Sequence, residues 1–320
     1  LCLFLTGICM YVSAQESPSF KSLRYEEDYS GISPDSTRAT YAQLKHVNLW
    51  RDDIFLSLGG SARCQFIKVE NEDWGETRES SDVYRLARHL FHADVHGGKR
   101  WRTFIEFQSS LAAGKYDVSP LDKNSLELHQ FFVDYSMIVK PAWRLTVRLG
   151  RQELRYGSER VVSVRNGPNN RQSFDGIKMF YASPNNTFDF FCSQFVAARY
   201  GSFNDKSNDV LRFWGAYAVK HHPPFNIDLY YLGIYKALAV FDDAVGKEVR
   251  HSIGARLWKK TDQLNLDIEC IYQFGRLGGQ SISAWTASIR SEYSLAGRFN
   301  PTIGVKTEII SGDSEYQDDN

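Results

Sequence analysis

The feature that most constrains this chain is an alternation of apolar and polar residues that recurs from about Ile54 to Ile310. One segment shows the pattern in full, with an apolar set opposite a mostly polar set: Leu264, Leu266, Ile268, Cys270, Tyr272 and Phe274 against Asn265, Asp267, Glu269, Ile271, Gln273 and Gly275. A side-chain period of two is that of a β-strand. A soluble sandwich and a transmembrane barrel both produce this pattern, so the alternation alone predicts an all-β chain.

The connections between these segments favour a barrel. The short turns cover residues 97–100, 140–142, 183–186, 221–224 and 296–298, and the longer loops cover residues 71–82, 111–125, 153–173, 197–209, 237–249 and 276–283. Alternation of short and long connections is typical of a meander threaded through a membrane, with short periplasmic turns. About thirteen strands are also more than one ordinary β-sandwich contains. The sequence therefore predicts an antiparallel up-and-down transmembrane β-barrel.

Composition agrees with this fold class and excludes others. The chain is 42% hydrophobic and, after its N-terminus, has no apolar run of about eighteen residues, so the sequence excludes transmembrane helices. Its 21 Phe, 17 Tyr and 7 Trp residues would supply aromatic girdles at the two membrane interfaces, although a large β-rich core favours aromatics too. The formal net charge is zero and no basic stripe occurs, so no nucleic-acid partner is expected.

The ends of the chain suggest secretion and an incomplete barrel. Residues 1–14 read as a truncated signal peptide, because an apolar stretch too short to span a bilayer is followed by small residues and then polar ones. Residues 15–48 form a polar N-terminal segment, and residues 49–320 form the barrel domain. Bacterial barrels close with an even number of strands, and the chain stops in an acidic stretch. The predicted location is the bacterial outer membrane, with barrel strands missing.

Motifs for catalysis or for cofactors are weak. No Ser or His lies in a recognisable nucleophile–base context, so neither an enzyme nor a cofactor is predicted. His92, Asp94 and His96 share one strand face and resemble part of a metal site, but no fourth ligand is evident. The acidic residues of the stretch 312–320 suit either Ca²⁺ binding or a simple soluble loop. No metal site is predicted.

Several motifs resemble the alginate-export family of outer-membrane barrels. The sharpest is residues 149–160, LGRQELRYGSER, followed by residues 164–169, Arg171 and residues 173–176; the segment 250–258 is similar too. The resemblance implies a monomeric barrel of about eighteen strands. It also implies a lumen narrowed by arginines and inward loops, through which a polyuronate passes by passive diffusion.

The alternation assigns charged residues to the lumen face. The candidates for binding a substrate there are Arg63, Arg88, Asp94, Asp134, Arg148 and Arg256. A guanidinium group matches a carboxylate with two parallel hydrogen bonds, and interspersed acids would hold the arginines without trapping the substrate. The plain alternative is an ordinary polar lumen wall of ion pairs.

The long loop 153–173 and its borders add further candidates. Arg151, Arg155, Arg160 and Arg171 concentrate there, and Asp175 follows in the same block. Such a loop either folds inward as a constriction or lies solvated outside the barrel. Our sequence hypothesis is that at least three of five arginines converge on one constriction: Arg63, Arg88, Arg148, Arg151 and Arg256.

These observations predict a channel for passive passage of an anionic polysaccharide or a related anionic sugar. The expected partners are this solute, outer-membrane lipid and periplasmic proteins, and the expected state is a monomer. A general diffusion porin for small sugars or anions is the alternative. A barrel enzyme or an adhesion scaffold is a third class, which the absence of a catalytic motif disfavours.

Overall fold

The computed structural model describes residues 20–31, 40–51, 53–71, 81–241, 244–297 and 299–311. The predicted signal peptide and the acidic stretch 312–320 lie outside these residues. A 3₁₀ turn covers Arg24–Glu26, and a short helix, α1, covers Thr40–Lys45. The strands are β1 Val47–Asn48, β2 Ile54–Glu70, β3 Ser81–Gly97, β4 Trp101–Ala113, β5 Asn124–Val139, β6 Arg144–Gln152, β7 Phe174–Ala182, β8 Asn186–Ala197, β9 Lys206–His222, β10 Phe225–Val240, β11 Val245–Lys260, β12 Leu264–Leu277, β13 Gln280–Ser294 and β14 Thr302–Ile310.

Within these residues the fourteen strands form one antiparallel sheet in sequence order, from β1 to β14. Each strand therefore pairs with its neighbour in the chain, and the all-β up-and-down fold class is confirmed. The predicted thirteen strands correspond to β2–β14, and the additional strand is the two-residue β1. Among the described residues β14 does not pair with β1 or β2, so the sheet is open.

The predicted alternation of short and long connections holds only up to β9. The expected long loops at 237–249 and 276–283 are wrong, because both segments are tight hairpins. In the first, Val240 pairs with Val245, so only residues 241–244 turn. In the second, Leu277 pairs with Gln280 across Gly278 and Gly279, whose φ angles are 58° and 110°. Two residues with positive φ are what a two-residue hairpin turn requires.

The two faces of the sheet differ as the alternation predicts. On β12, Cys270, Tyr272 and Phe274 are exposed, whereas Glu269 and Ile271 are buried. Other strands present exposed apolar side chains on the same outer face, among them Phe66, Phe91, Phe131, Leu149, Ile177, Phe190, Leu229, Ile253 and Ile289. Apolar side chains that face outward and polar ones that face inward are the arrangement of a barrel in lipid.

Outward aromatic residues gather beside the short turns. Trp101 lies 4.7 Å from Tyr135 between ring centroids, and Trp143 lies 5.5 Å from Tyr181. Phe188 continues this row at 5.8 Å from Tyr181. We call these five residues the aromatic belt. Such belts lie where the membrane meets water, because their amphipathic rings suit the level of the lipid headgroups.

The inner face is covered by two segments of the same chain, which are the N-terminal segment, residues 20–31, and the plug loop, residues 153–173. The first forms an apolar cluster with the plug loop and two strands, through Leu23, Tyr25, Phe104, Phe132 and Val164. Tyr25 meets Phe104 and Phe132 edge to face, at 6.1 and 5.4 Å. No helix in the described residues is long and apolar enough to span a bilayer.

We expect a charge on the outer face to destabilise the protein. Ile253 lies near the middle of β11 and its side chain is 47% exposed. Ile253→Lys should lower the free energy of unfolding by about 2–4 kcal/mol, because a cation at the bilayer midplane loses its hydration. Urea unfolding in phospholipid vesicles measures this change. The control is Asn265→Lys on the inner face, 2.8 Å from Glu292, which should cost less than about 1 kcal/mol. Equal costs would show that Ile253 does not face lipid.

Candidate functional site

The plug loop begins and ends at one buried ion pair. Glu153 accepts a hydrogen bond from Arg171 Nη2 at 2.9 Å, and Arg171 Nε lies 2.8 Å from its other carboxylate oxygen. His129 Nε2 lies 2.8 Å from the same carboxylate, and the backbone N–H of Glu153 donates to Gln130 Oε1 at 3.0 Å. Glu153, Arg171, His129 and Gln130 are all buried. The two ends of the loop are therefore fixed to each other and to β5.

Apolar side chains fix the middle of the loop to the opposite wall. Leu154 and Val162 pack in a buried cluster with inward residues of β7–β12, namely Phe174, Phe191, Phe213, Tyr217, Tyr230, Leu232 and Ile271. Tyr156 stacks on Tyr217 at 4.7 Å and on Phe191 at 5.5 Å. The loop thus spans the interior from β5 to β12, and it lies inside rather than in external solvent.

A buried asparagine holds the returning half of the loop. Asn169 Nδ2 is within hydrogen-bonding distance of the carbonyl oxygens of Ala87 and Leu111, each at 3.1 Å, and of Asp122 at 2.9 Å. Ser110 Oγ donates to the Asn169 carbonyl at 2.9 Å. These contacts connect the loop to β3, β4 and the loop that follows β4.

Two predicted arginines meet at the tip of the plug loop. Arg63 donates to the carbonyl oxygens of Asn166 at 2.6 Å and Pro168 at 2.8 Å. Arg88 donates to Asn166 Oδ1 at 2.6 Å and to the same two carbonyls at 3.3 Å. In the described part of the chain neither guanidinium pairs with a carboxylate. Arg165, beside them on the loop, is exposed. The tip therefore concentrates positive charge that no direct ion pair compensates.

The plug loop separates two cavities, of about 580 Å³ and about 670 Å³. Arg160 lines both of them. It donates to Glu269 at 3.2 Å and also pairs with Glu308. The larger cavity is lined by five cations and two acids, which are Arg160, Arg256, Lys260, Arg290 and Lys306 with Glu159 and Asp267. The Arg160 side chain therefore lies at the boundary between the two cavities.

The N-terminal segment is held by charged groups of the wall. Tyr25 Oη donates to the Glu153 carbonyl at 2.8 Å, and Arg102 donates to the Tyr25 carbonyl at 2.5 Å. Within the segment, Glu27 accepts from Arg24 and from Tyr29, both at 2.7 Å. Burial raises the pKa of the Glu27 carboxyl, but these hydrogen bonds outweigh burial and leave the pKa below its ordinary value.

Most other predicted arginines lie in separate ion pairs. Arg148 donates to both oxygens of Asp134, at 2.7 and 2.8 Å, and this pair is buried. Its guanidinium carbon lies 3.7 Å from the Phe132 ring centroid. Asp94 accepts two bonds from Arg102, at 2.7 and 2.8 Å.

Arg256 and Arg155 are also paired with acids. Arg256 donates to Asp228 at 3.0 Å and pairs with Asp267. Arg155 pairs with Glu26 at 3.1 Å and Glu159 at 3.6 Å. The hypothesis that at least three of the five named arginines converge is therefore corrected, because only Arg63 and Arg88 meet.

Arg151 and Asp175 are the exception to the lumen assignment. They pair at 2.8 Å across β6 and β7. Arg151 lies opposite Phe131, which is 45% exposed, and follows the alternation in which Arg148 faces inward and Leu149 outward. The pair therefore lies on the outer face, beneath the loop that carries Asp205. The reason is strict parity: Arg151 comes three positions after the inward-facing Arg148, and side chains an odd number of positions apart point to opposite faces of a strand.

One group of side chains has the composition of a metal site. Glu106, His129 and Glu153 are buried, and their ligand atoms lie within 4.8 Å of one another. However, Arg171 already neutralises Glu153 through an ion pair that includes one hydrogen bond. The arrangement is that of an ion-pair network at the root of the plug loop. Of the three residues on one strand face, His96 Nε2 lies 3.1 Å from Asp94, which also accepts from Arg102, whereas His92 faces Glu106 at 3.8 Å.

Sequence reasoning missed the N-terminal segment and Asn169. A signal for the first was available, because Leu23, Tyr25 and Tyr29 stand out in a polar stretch and all three are buried. No local pattern distinguishes Asn169, whose role depends on three carbonyl groups from distant parts of the chain.

We expect the Arg148–Asp134 pair to serve stability. Arg148→Met should lower the free energy of unfolding by about 3–5 kcal/mol, because the buried Asp134 carboxylate loses its partner. The double variant Arg148→Met and Asp134→Leu should recover much of this loss, since no charge is left buried. Urea unfolding of both variants in vesicles measures the difference. If the double variant is no more stable than the single one, the pair is not the main contribution of Arg148.

Comparison with known proteins identifies the family. The sequence model described as alginate export matches residues 54–320. No curated protein matches the chain. Among solved structures, the crystal structure of Pseudomonas aeruginosa OccK2 (OpdF) in complex with glucuronate is similar at 11% identity and a TM-score of 0.40, over 83% of this chain and 94% of that chain. Because the family match covers most of its length, this chain belongs to the alginate export family, as an outer-membrane transport protein rather than an enzyme.

Proposed function

We propose that the protein is a channel for passive passage of an anionic polysaccharide or a related anionic sugar. The observation that carries this proposal is the pair Arg63 and Arg88, whose guanidinium groups bond to carbonyl oxygens at the tip of the plug loop. Family membership supports a transport channel, and this uncompensated charge supports an anionic solute.

A carboxylate is a better acceptor for these arginines than a carbonyl oxygen. A guanidinium binds a carboxylate with two parallel hydrogen bonds and with attraction between opposite charges, which a neutral carbonyl oxygen does not provide. A uronate carboxylate can therefore replace the carbonyls of Asn166 and Pro168. Because those carbonyls compete for the same donors, the carboxylate is also released again. Conduction needs sites that bind weakly enough for the solute to leave.

The larger cavity provides a second group of cations on the other side of Arg160. Four of its five cations pair with carboxylates, and Lys260 makes no ion pair within the described residues. A solute with repeated carboxylates, spaced along a polymer, would contact both regions at once. This spacing of positive charge favours a chain of anionic sugars over a single one.

The size of the cavities keeps the general diffusion porin as a second candidate. Volumes of about 580 and 670 Å³ lie within the range of small-molecule sites. A small sugar or anion fits either cavity without displacing the plug loop. The two candidates differ in how block depends on the length of the solute. A polysaccharide channel should be blocked more strongly by a polymer than by a monomer, and a general diffusion porin should not.

The selectivity of the pore tests this proposal. In planar bilayers the wild-type protein should conduct anions in preference to cations, and a polyuronate should block the current more strongly than the same concentration of monomeric uronate. The variant Arg63→Gln and Arg88→Gln should weaken both effects, because unit charges about 4 Å apart interact by about 4 kcal/mol at an effective dielectric constant near 20.

The control for this experiment is Arg144→Gln, which removes an exposed arginine at the start of β6 far from the plug tip. It should leave selectivity and block unchanged. Cation preference in the wild type would refute the anionic solute. Equal block by polymer and monomer would favour the diffusion porin.

Arg160 should limit the passage between the two cavities. Arg160→Ala removes the side chain that lines both spaces, so the single-channel conductance should rise. The matched control is Arg155→Ala, five residues earlier on the same loop, whose guanidinium pairs with Glu26 of the N-terminal segment. Conductance recorded in planar bilayers should rise only in the first variant. A rise in both would indicate that the whole plug loop has loosened.

A further inference from the structure

The end of the sheet that carries the short turns is rich in positive charge. Five cations lie there on four of the five hairpins between β3 and β12, which are Lys99, Arg100, Lys140, Lys220 and Lys259; the β7–β8 hairpin carries none of them. We call these residues the basic rim. In the described part of that end, Asp53 and Asp262 are the acidic residues of the turns, and Asp53 is already paired with Arg51 at 3.0 Å.

The cations of the basic rim have no acidic partners among the described residues. Arg100 donates to the Met137 carbonyl at 3.3 Å, and Met137 is exposed on the outer face. Lys259 lies 5.6 Å from the Phe225 ring centroid. By strand parity Lys220 shares the outward face with Trp214, opposite to the buried Tyr217. These cations therefore lie along the outer perimeter and not at the mouth of the lumen.

The aromatic belt sets the depth of the basic rim in the membrane. Trp101 follows Arg100 directly in the sequence, and Trp143 follows Lys140 by three residues. Belt aromatics lie at the level of the lipid headgroups. The rim cations lie at the same level or just beyond it, where phospholipid phosphates are found.

The opposite end of the sheet also carries cations without an ion pair among the described residues, including Lys123, Arg199, Lys206, Lys247 and Arg276, but acids are interspersed with them, including Asp82, Asp117, Asp205 and Asp209. There Lys115 pairs with Asp122 at 2.7 Å, and Lys68 pairs with Glu70. Cations with few interspersed acids thus mark one membrane surface, which short turns identify as the periplasmic one.

We propose that the basic rim binds the headgroups of anionic phospholipids in the periplasmic leaflet. Hairpins of this sheet follow one another at about 10 Å, twice the spacing of adjacent strands. Cations on separate hairpins around the perimeter suit separate lipid phosphates rather than one compact anionic group. An acidic protein would need them on one compact surface.

Lipid selectivity of the folded protein tests the proposal. The protein is placed in phosphatidylcholine nanodiscs that contain spin-labelled phosphatidylglycerol or spin-labelled phosphatidylcholine, and electron paramagnetic resonance gives the fraction of immobilised lipid. Phosphatidylglycerol should be preferred by about fivefold, the effect expected for one cation near a charged surface. Raising the salt from about 0.05 M to about 0.5 M should reduce this preference, because the Debye length shortens.

The variant with Gln at Lys99, Arg100, Lys140, Lys220 and Lys259 should lower the preference to below about twofold. The control carries five Gln substitutions at the other end, at Lys123, Arg199, Lys206, Lys247 and Arg276, and should keep the wild-type preference. Heat-modifiable electrophoretic mobility confirms that each variant is folded. Three results would overturn the proposal: no preference in the wild type, an unchanged preference in the rim variant, or an equal loss in the control. An acidic periplasmic protein would then be the better occupant of the basic rim.

Discussion

The buried pair of Glu153 and Arg171 is the interaction on which the interior depends. It joins residues near the two ends of the plug loop and fixes them to each other inside the lumen. The same glutamate accepts the Tyr25 hydroxyl at its carbonyl, and the same arginine donates to the Ser22 carbonyl, so the N-terminal segment docks on this pair. Removing one partner of such a pair costs about 3–5 kcal/mol, because a charge stays buried. The plug loop and the N-terminal segment are therefore stabilised together.

Arginine has two distinct uses in this interior. At Arg148, Arg102 and Arg256 the guanidinium is matched by carboxylates of neighbouring strands, and these pairs hold the wall at no net charge. At Arg63 and Arg88 the acceptors are backbone carbonyls, so the positive charge is not cancelled. The formal net charge of the chain is zero, so what a solute meets depends on this local difference and not on the total.

The sequence predicts the parts of the structure that depend on local periodicity. The face of each β12 residue follows from parity, because a strand in lipid has only two sides. The length of a hairpin is not determined by the local sequence pattern. Val240 and Val245 extend the ladder of β10 and β11 because they pair with each other in register. The burial of Tyr25 is tertiary as well, since it depends on Phe104 and Phe132. Arg151 was assigned to the lumen because it is an arginine, although the alternation along β6 places it on the outer face.

A plug that is fixed at many points still leaves a route for a solute. The root and the returning half of the loop are buried and bonded to β3, β4 and β5, so opening them would break several contacts at once. Residues near Arg160 have fewer anchors and face Glu269 and Glu308 of β12 and β14. Arg160 lines both cavities, and an anionic solute can exchange with these two carboxylates for its guanidinium. At Arg160 the loop is thus held by side-chain ion pairs that a solute can exchange, whereas at its root and returning half it is held by several buried hydrogen bonds.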